Sequence, residues 1–171
     1  LPPNPLAALL LTVKAANLTT TITTYDALTG LINMVPRVII KHQGRAIVDI
    51  GLLDAMINSA ILAKWYPHQL NVLETDAYAR SLTVPILFGR RPYDPSECLP
   101  ETKPGELTLH VECDIATASF TGLILQAQTI ELPDAKPTRW LKQTRSLPIL
   151  NAVAEHKIKL PTGNPIAGIL L

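Results

Sequence analysis

The chain has 171 residues, which fits one domain, and a chain of that length buries roughly 70% of its unfolded surface without needing disulfides or a metal. Lys and Arg number 15 against 14 Asp and Glu, and a net charge of +1 argues against electrostatic capture of nucleic acid or an anionic membrane as its main work. Charged residues make up only 17%, while 17 threonines and 15 prolines supply neutral surface and turns, a composition that suits a face ending against another protein.

The opening LPPNPLAALLLTV holds three prolines and no basic residue, so it does not read as a secretory leader. It reads instead as an extended arm over about residues 1–10 that leads into a first strand at Leu9–Val13, because proline forbids helix and tolerates a sheet edge. Asn17–Tyr25, NLTTTITTY, is rich in threonine, whose stiff χ1 favours a pleated surface, and a strand is expected there. In Pro36–Ile50 the apolar runs Val38–Ile40 and Ala46–Ile50 flank Lys41-His42-Gln43-Gly44-Arg45, the pattern of a hairpin whose glycine takes a positive φ. Leu52, Leu53, Met56, Ile57, Ala60, Ile61 and Lys64 then recur at three- and four-residue spacing. That period predicts one amphipathic helix near 52–64, the only helix expected, and Pro67 closes it after Trp65-Tyr66.

In the second half Leu107, Leu109, Val111, Cys113 and Ile115 alternate with Thr108, His110, Glu112 and Asp114, which predicts a strand with one buried face. Cys113 falls on that apolar face and reads as a buried free thiol. Leu123–Leu132, Arg139–Leu150 and Ala154–Leu160 are further strand candidates, with prolines standing between the runs. The longest uncharged stretch, Ile115–Ile130, has 16 residues, and a spanning helix needs about 20 mostly apolar ones. Many short strands with turn residues between them predict an all-β sandwich or barrel with one short helix.

The chemistry-bearing residues do not assemble into a known pattern. His42, His68, His110 and His156 form no HxH or HExxH, and Cys98 and Cys113 form no CxxC. His110-Val111-Glu112 matches the HxE of zinc deaminases but lacks the PCxxC partner, and the two side chains fall on the polar face of their strand. Phosphate-cradling glycine loops and a GxSxG elbow are missing, and Arg90-Arg91 reads as a solvated or interface pair. No catalytic, cofactor or metal residue is expected.

Pro85-Ile-Leu-Phe88-Gly89-Arg90 closes an apolar strand into a Pro92-x-Asp94-Pro95 corner, and Leu160-Pro161-Thr-Gly163-Asn164 forms a second turn near the end. Aspartate caps its own turn and proline sets φ, while Gly163 and Asn164 tolerate positive φ. Together these motifs, with the chain length, resemble the single jelly-roll small major capsid proteins of tailless icosahedral phages with an internal membrane, the sphaerolipovirus type. The resemblance covers about half the chain, from Pro85 onward. It implies one jelly-roll domain over 1–171 with an N-terminal arm and a C-terminal arm of about 161–171. It also implies a structural virion protein that partners itself, as a dimer, and a second, larger capsid protein, near an internal membrane and without nucleic acid.

The alternative is an oligomeric β-sandwich binding module, lectin-like or a viral spike domain, although aromatic residues are only 5% of the chain. An enzyme would need convergent polar groups, such as His42 and His156 in one pocket. Both chain ends are apolar and uncharged over residues 1–13 and 160–171, so each needs a cover, either the parent barrel or a neighbour's sheet edge.

Overall fold

A computed structural model describes residues 4–17, 24–70, 79–114, 120–145 and 165–169. The elements run β1 (Leu6–Asn17), α1 (Thr24–Asn33), β2 (Arg37–His42), β3 (Arg45–Ile50) and α2 (Leu52–Ala63), followed by β4 (His68–Leu70), β5 (Ala79–Leu87), β6 (Leu107–Glu112), β7 (Phe120–Glu131) and β8 (Gln143–Thr144). They form two four-stranded sheets, ordered β4-β5-β1-β7 and β6-β2-β3-β8. The protein is a β-sandwich, as the alternating segments imply. Consecutive strands pair within a sheet at β2-β3 and at β4-β5, so the described connectivity establishes the sandwich rather than the jelly-roll order.

The core lies between the sheets. Leu9, Leu11 and Val13 on β1 and Leu82, Val84 and Ile86 on β5 face Val38 and Ile40 on β2 and Val48 and Ile50 on β3, all of them buried. Period-two alternation puts each set on one face of its strand. β1 is therefore a central strand, paired antiparallel from Ala8 to Ala16 with β5 and from Leu6 to Asn17 with β7. This corrects the expected N-terminal arm from Leu6 onward. The apolar run finds its cover in the parent sandwich, because both edges of β1 are filled.

The β2–β3 hairpin turns at Gln43 and Gly44, with φ of 49° and 79°. Two positive φ values in a two-residue turn match the right-handed twist of the flanking strands. α2 spans the predicted segment. The Asp54 carboxylate accepts the Gly51 N–H at 2.9 Å at its start, and Lys64 ends it with a φ of 52°. Pro85 sits inside β5, beyond the last residue paired with β4, Thr83, where its missing N–H breaks no ladder on that side.

Several expectations are corrected. A second helix, α1, begins at Thr24, so Thr24 and Tyr25 are helical rather than the end of a threonine-rich strand, and residues 18–23 lie outside the described set. The strand predicted from Leu107 to Ile115 ends at Glu112. Its alternation holds, but the chain leaves the sheet there, Asp114 N–H donates to Met34 O at 2.9 Å, and Cys113 is exposed rather than buried. Of the Arg139–Leu150 candidate only Gln143–Thr144 pairs as a strand, parallel to β3, with 146–150 outside the described residues. The Ala154–Leu160 candidate and the turn at Leu160, Pro161, Gly163 and Asn164 also lie outside them.

Phe88, just past β5, is fully buried in the core, and its N–H donates to Ala7 O at 3.0 Å. Phe88→Ala is expected to cost about 3–5 kcal/mol. Thermal denaturation followed by circular dichroism would then show Tm lowered by more than about 6 °C for a domain of this size.

Candidate functional site

The corner that follows β5 is fastened by several hydrogen bonds and ion pairs. Gly89 passes so close to the following segment that a Cβ on it would lie 1.9 Å from the carbonyl oxygen of Glu97. Only glycine permits that approach. Tyr93 then adopts a φ of 65°, and Asp94 accepts from the Ser96 N–H at 2.9 Å and the Ser96 hydroxyl at 2.7 Å through one carboxylate oxygen. Glu97 N–H donates to Asp94 O at 3.1 Å, which closes a turn over Asp94–Glu97 with Pro95 inside it. The two Ser96 bonds hold the Asp94 carboxyl below its ordinary range, with the Ser96 hydroxyl the largest cause.

Inside the corner stands Glu97, whose side chain is only 4% exposed. Its carboxylate takes bonds from the Arg90 guanidinium and from the Arg90 main-chain N–H at 3.2 Å, and it pairs with Arg139 as well. A buried carboxylate loses its hydration, which would raise its pKa; the Arg90 bonds outweigh this and hold Glu97 below its ordinary value. Arg90 is exposed, as a solvated arginine would be, and its guanidinium also pairs with the buried Glu97 carboxylate. Arg91 is exposed. Glu97 and Arg139 were not singled out from the sequence. The available signal was a lone acidic residue between Ser96 and Cys98-Leu99, inside a corner already marked by Asp94 and Pro95.

Residues 138–145 cross this corner as a strap. Thr138 N–H donates to Ser96 O at 3.1 Å, Leu141 N–H to Phe88 O at 2.8 Å, and Arg145 N–H to Asp49 O at 2.8 Å. The Gln143 amide donates to Leu87 O at 2.7 Å and accepts from the Asn58 amide at 3.0 Å. One short segment therefore fastens the end of β5, the middle of β3 and the side of α2. Next to Ala7, which accepts from Phe88, Leu6 exchanges both main-chain bonds with Leu99 at 2.9 Å.

Beside the corner lies an apolar surface. α2 buries Leu52, Ala55 and Ser59, so small residues carry its close approach to β5. The apolar stripe seen in the sequence is turned partly outward. Leu53, Ile61 and Leu62 are exposed, Ile61 at 63%. Met56, Ile57, Ala60 and Ile61 line a groove of about 340 Å³ with Leu28, Tyr66 and Pro67. The Trp65 and Tyr93 rings stand 6.2 Å apart, joining the end of α2 to the corner, and Tyr66 is 72% exposed.

Among the described residues the histidines stay apart. His42 lies 3.7 Å from Glu106, His68 is on β4, His110 and Glu112 are exposed on β6, and His156 is outside the described residues. Arg37 clasps Asp49 at 2.7 Å and 2.9 Å and reaches Glu112 at 3.3 Å across three strands. Cys98 is buried and Cys113 exposed, both as free thiols. Among the described residues no three His, Cys, Asp or Glu side chains converge on one point, and no helix is long and apolar enough to cross a membrane. No protein-family model, curated protein or solved structure matches the chain.

Glu97→Gln is expected to cost about 1–3 kcal/mol, since both arginines are more than half exposed and rehydrate when the charge is gone. Replacing Arg90 and Arg139 together by alanine removes both charge partners of the carboxylate and is expected to cost more than Glu97→Gln. Urea denaturation of the three proteins at neutral pH checks that order; an equal or reversed order would show that Glu97 is hydrated. A depressed folded-state pKa contributes stability above the ordinary value of 4.5 that is lost as pH falls through the folded value. Wild-type stability should therefore decline on acidification below about pH 4.5, and Glu97→Gln should decline less.

Proposed function

We propose that this protein is a structural subunit of an icosahedral virion shell, a single-barrel capsid protein that associates with itself and with a second, larger capsid protein. The observation that carries the reading is the outward-turned apolar stripe of α2, with exposed Leu53, Ile61, Leu62 and Tyr66 beside a rigid corner. An apolar patch of this kind on a folded surface suits a protein interface. A sandwich whose loops are fastened by a buried ion pair and a strap presents such a face in one fixed geometry, which repeated contacts in a closed shell require. The corner at Pro85, Phe88, Gly89, Arg90, Pro92, Asp94 and Pro95 supports the same reading through its likeness to the jelly-roll capsid proteins. In that reading the chain carries out no reaction, needs no cofactor or metal, and belongs to the capsid, close to an internal membrane.

A second reading has one observation in its favour. Trp65, Tyr66 and Tyr93 cluster at the surface, and exposed aromatic rings stack on sugars, as in a lectin-like or spike domain. Particles purified from cells that carry this gene decide between them. A shell subunit is expected at hundreds of copies per particle, with antibody label over the whole surface in negative-stain micrographs. Label confined to the vertices supports the spike domain, and absence from particles overturns both.

A further inference from the structure

The four sheet edges differ in a way that suits one of them to pairing. β8 has two residues, β4 has three and follows directly on Pro67, and β6 has six with His110 and Glu112 on its outer face. Short length, adjoining proline and charge are the usual means of blunting an edge. β7 uses none of these along its middle. It runs for 12 residues at the end of its sheet, and its first charge is Glu131, at the last position. Among the described residues no strand pairs with its other side.

The regular part of β7 is Ile124–Ile130, which pairs residue by residue with Lys14 back to Ala8 of β1, after the bulge around Gly122. Its sequence is Ile-Leu-Gln-Ala-Gln-Thr-Ile, which reads almost the same in both directions about Ala127. The outward row is Ile124, Gln126, Gln128 and Ile130, the first three exposed, with Ile124 at 59%. Leu125, on the other row, leans on the core. A two-fold axis relating antiparallel strands must set one residue opposite its own copy, and with Ala127 on the axis every cross-strand pair except Leu125 with Thr129 becomes a like pair. Ile124 faces the Ile130 of the other copy, Gln126 faces its Gln128 amide to amide, and the small Ala127 meets itself. The one charge, Glu131, lies outside that stretch and is held by the Asn4 amide at 2.6 Å.

We infer that a second copy of this chain docks on β7 by antiparallel edge pairing about a two-fold axis at Ala127, joining two sheets of four strands into one of eight. The inference rests on the reading of the protein as an assembling subunit and names the surface it uses for itself.

Two pairs of variants test it by sedimentation over micromolar to about 100 μM protein, a range that brackets a weak strand-mediated dimer. Gln126→Lys with Gln128→Lys opposes lysines twice across the axis and is expected to weaken the dimer by at least about tenfold. Gln126→Lys with Gln128→Glu opposes lysine to glutamate twice and is expected to keep it. In a Cys113→Ser background, Ala127→Cys is expected to form a covalent dimer on mild oxidation, because directly opposed residues lie about 4.5–5.5 Å apart, within disulfide reach. Thr108→Cys on the exposed face of β6 should not. Circular dichroism melts confirm that each variant folds, and faster amide exchange over 124–130 on dilution of the wild type gives a readout free of substitutions. A wild-type monomer throughout the range, or a dimer in which the two charge variants behave alike and Ala127→Cys does not cross-link, overturns the inference. The shell reading falls separately, by absence of the protein from purified particles.

Discussion

A carboxylate taken out of water needs charge and hydrogen bonds in return, and Glu97 obtains both from its own corner and from a distant segment of the chain. Arg90 reaches it from the same corner and Arg139 from the strap 138–145. The arginines stay half exposed, so their own desolvation is slight, while the anion's is nearly complete. The geometry becomes possible because Gly89 lets the main chain slide against Glu97, at a distance where any side chain would collide. From that contact the corner gains its shape, the strap gains its anchor, and the end of β5 is closed over Phe88.

The strap extends the constraint through the sandwich. Its main chain binds Phe88 at the end of one sheet and Asp49 in the other, and the Gln143 amide links Leu87 to α2 through Asn58. Sheets packed face to face are held chiefly by apolar burial, which has no direction. Directional bonds at the rim determine how one layer sits over the other. The same rim carries the aromatic cluster of Trp65 and Tyr93 and the groove beside α2, so the exposed apolar surface adjoins a corner held by directional bonds.

α2 illustrates how a correct local reading leads to a different surface. The three- and four-residue spacing of apolar residues defines a helix and its span, and Asp54 and Lys64 close its ends. It does not say which side of so apolar a helix meets the sheet. Ala55 and Ser59 allow the closest approach to β5, so they are buried, and part of the larger apolar stripe is left facing solvent. In β1 the same ambiguity ran the other way: prolines ahead of an apolar run suggested an arm, yet Leu6–Asn17 became an inner strand of its sheet.

Much of the architecture follows from interactions within a few residues, and those were legible. The turn at Gln43-Gly44, the span of α2, the alternation of β6 and the Asp94 turn each depend on local φ preferences, period and side-chain-to-backbone bonds, which the residue order carries by itself. Others depend on contacts whose partners are distant in the chain. The exposure of Cys113, the pairing of Arg139 with Glu97, and the position of β7 at the rim of its sheet arise only when the segments meet. The palindrome about Ala127 lay in the sequence throughout, but it acquires meaning only on an open edge. Edges are a property of strand order, and strand order is decided by tertiary packing.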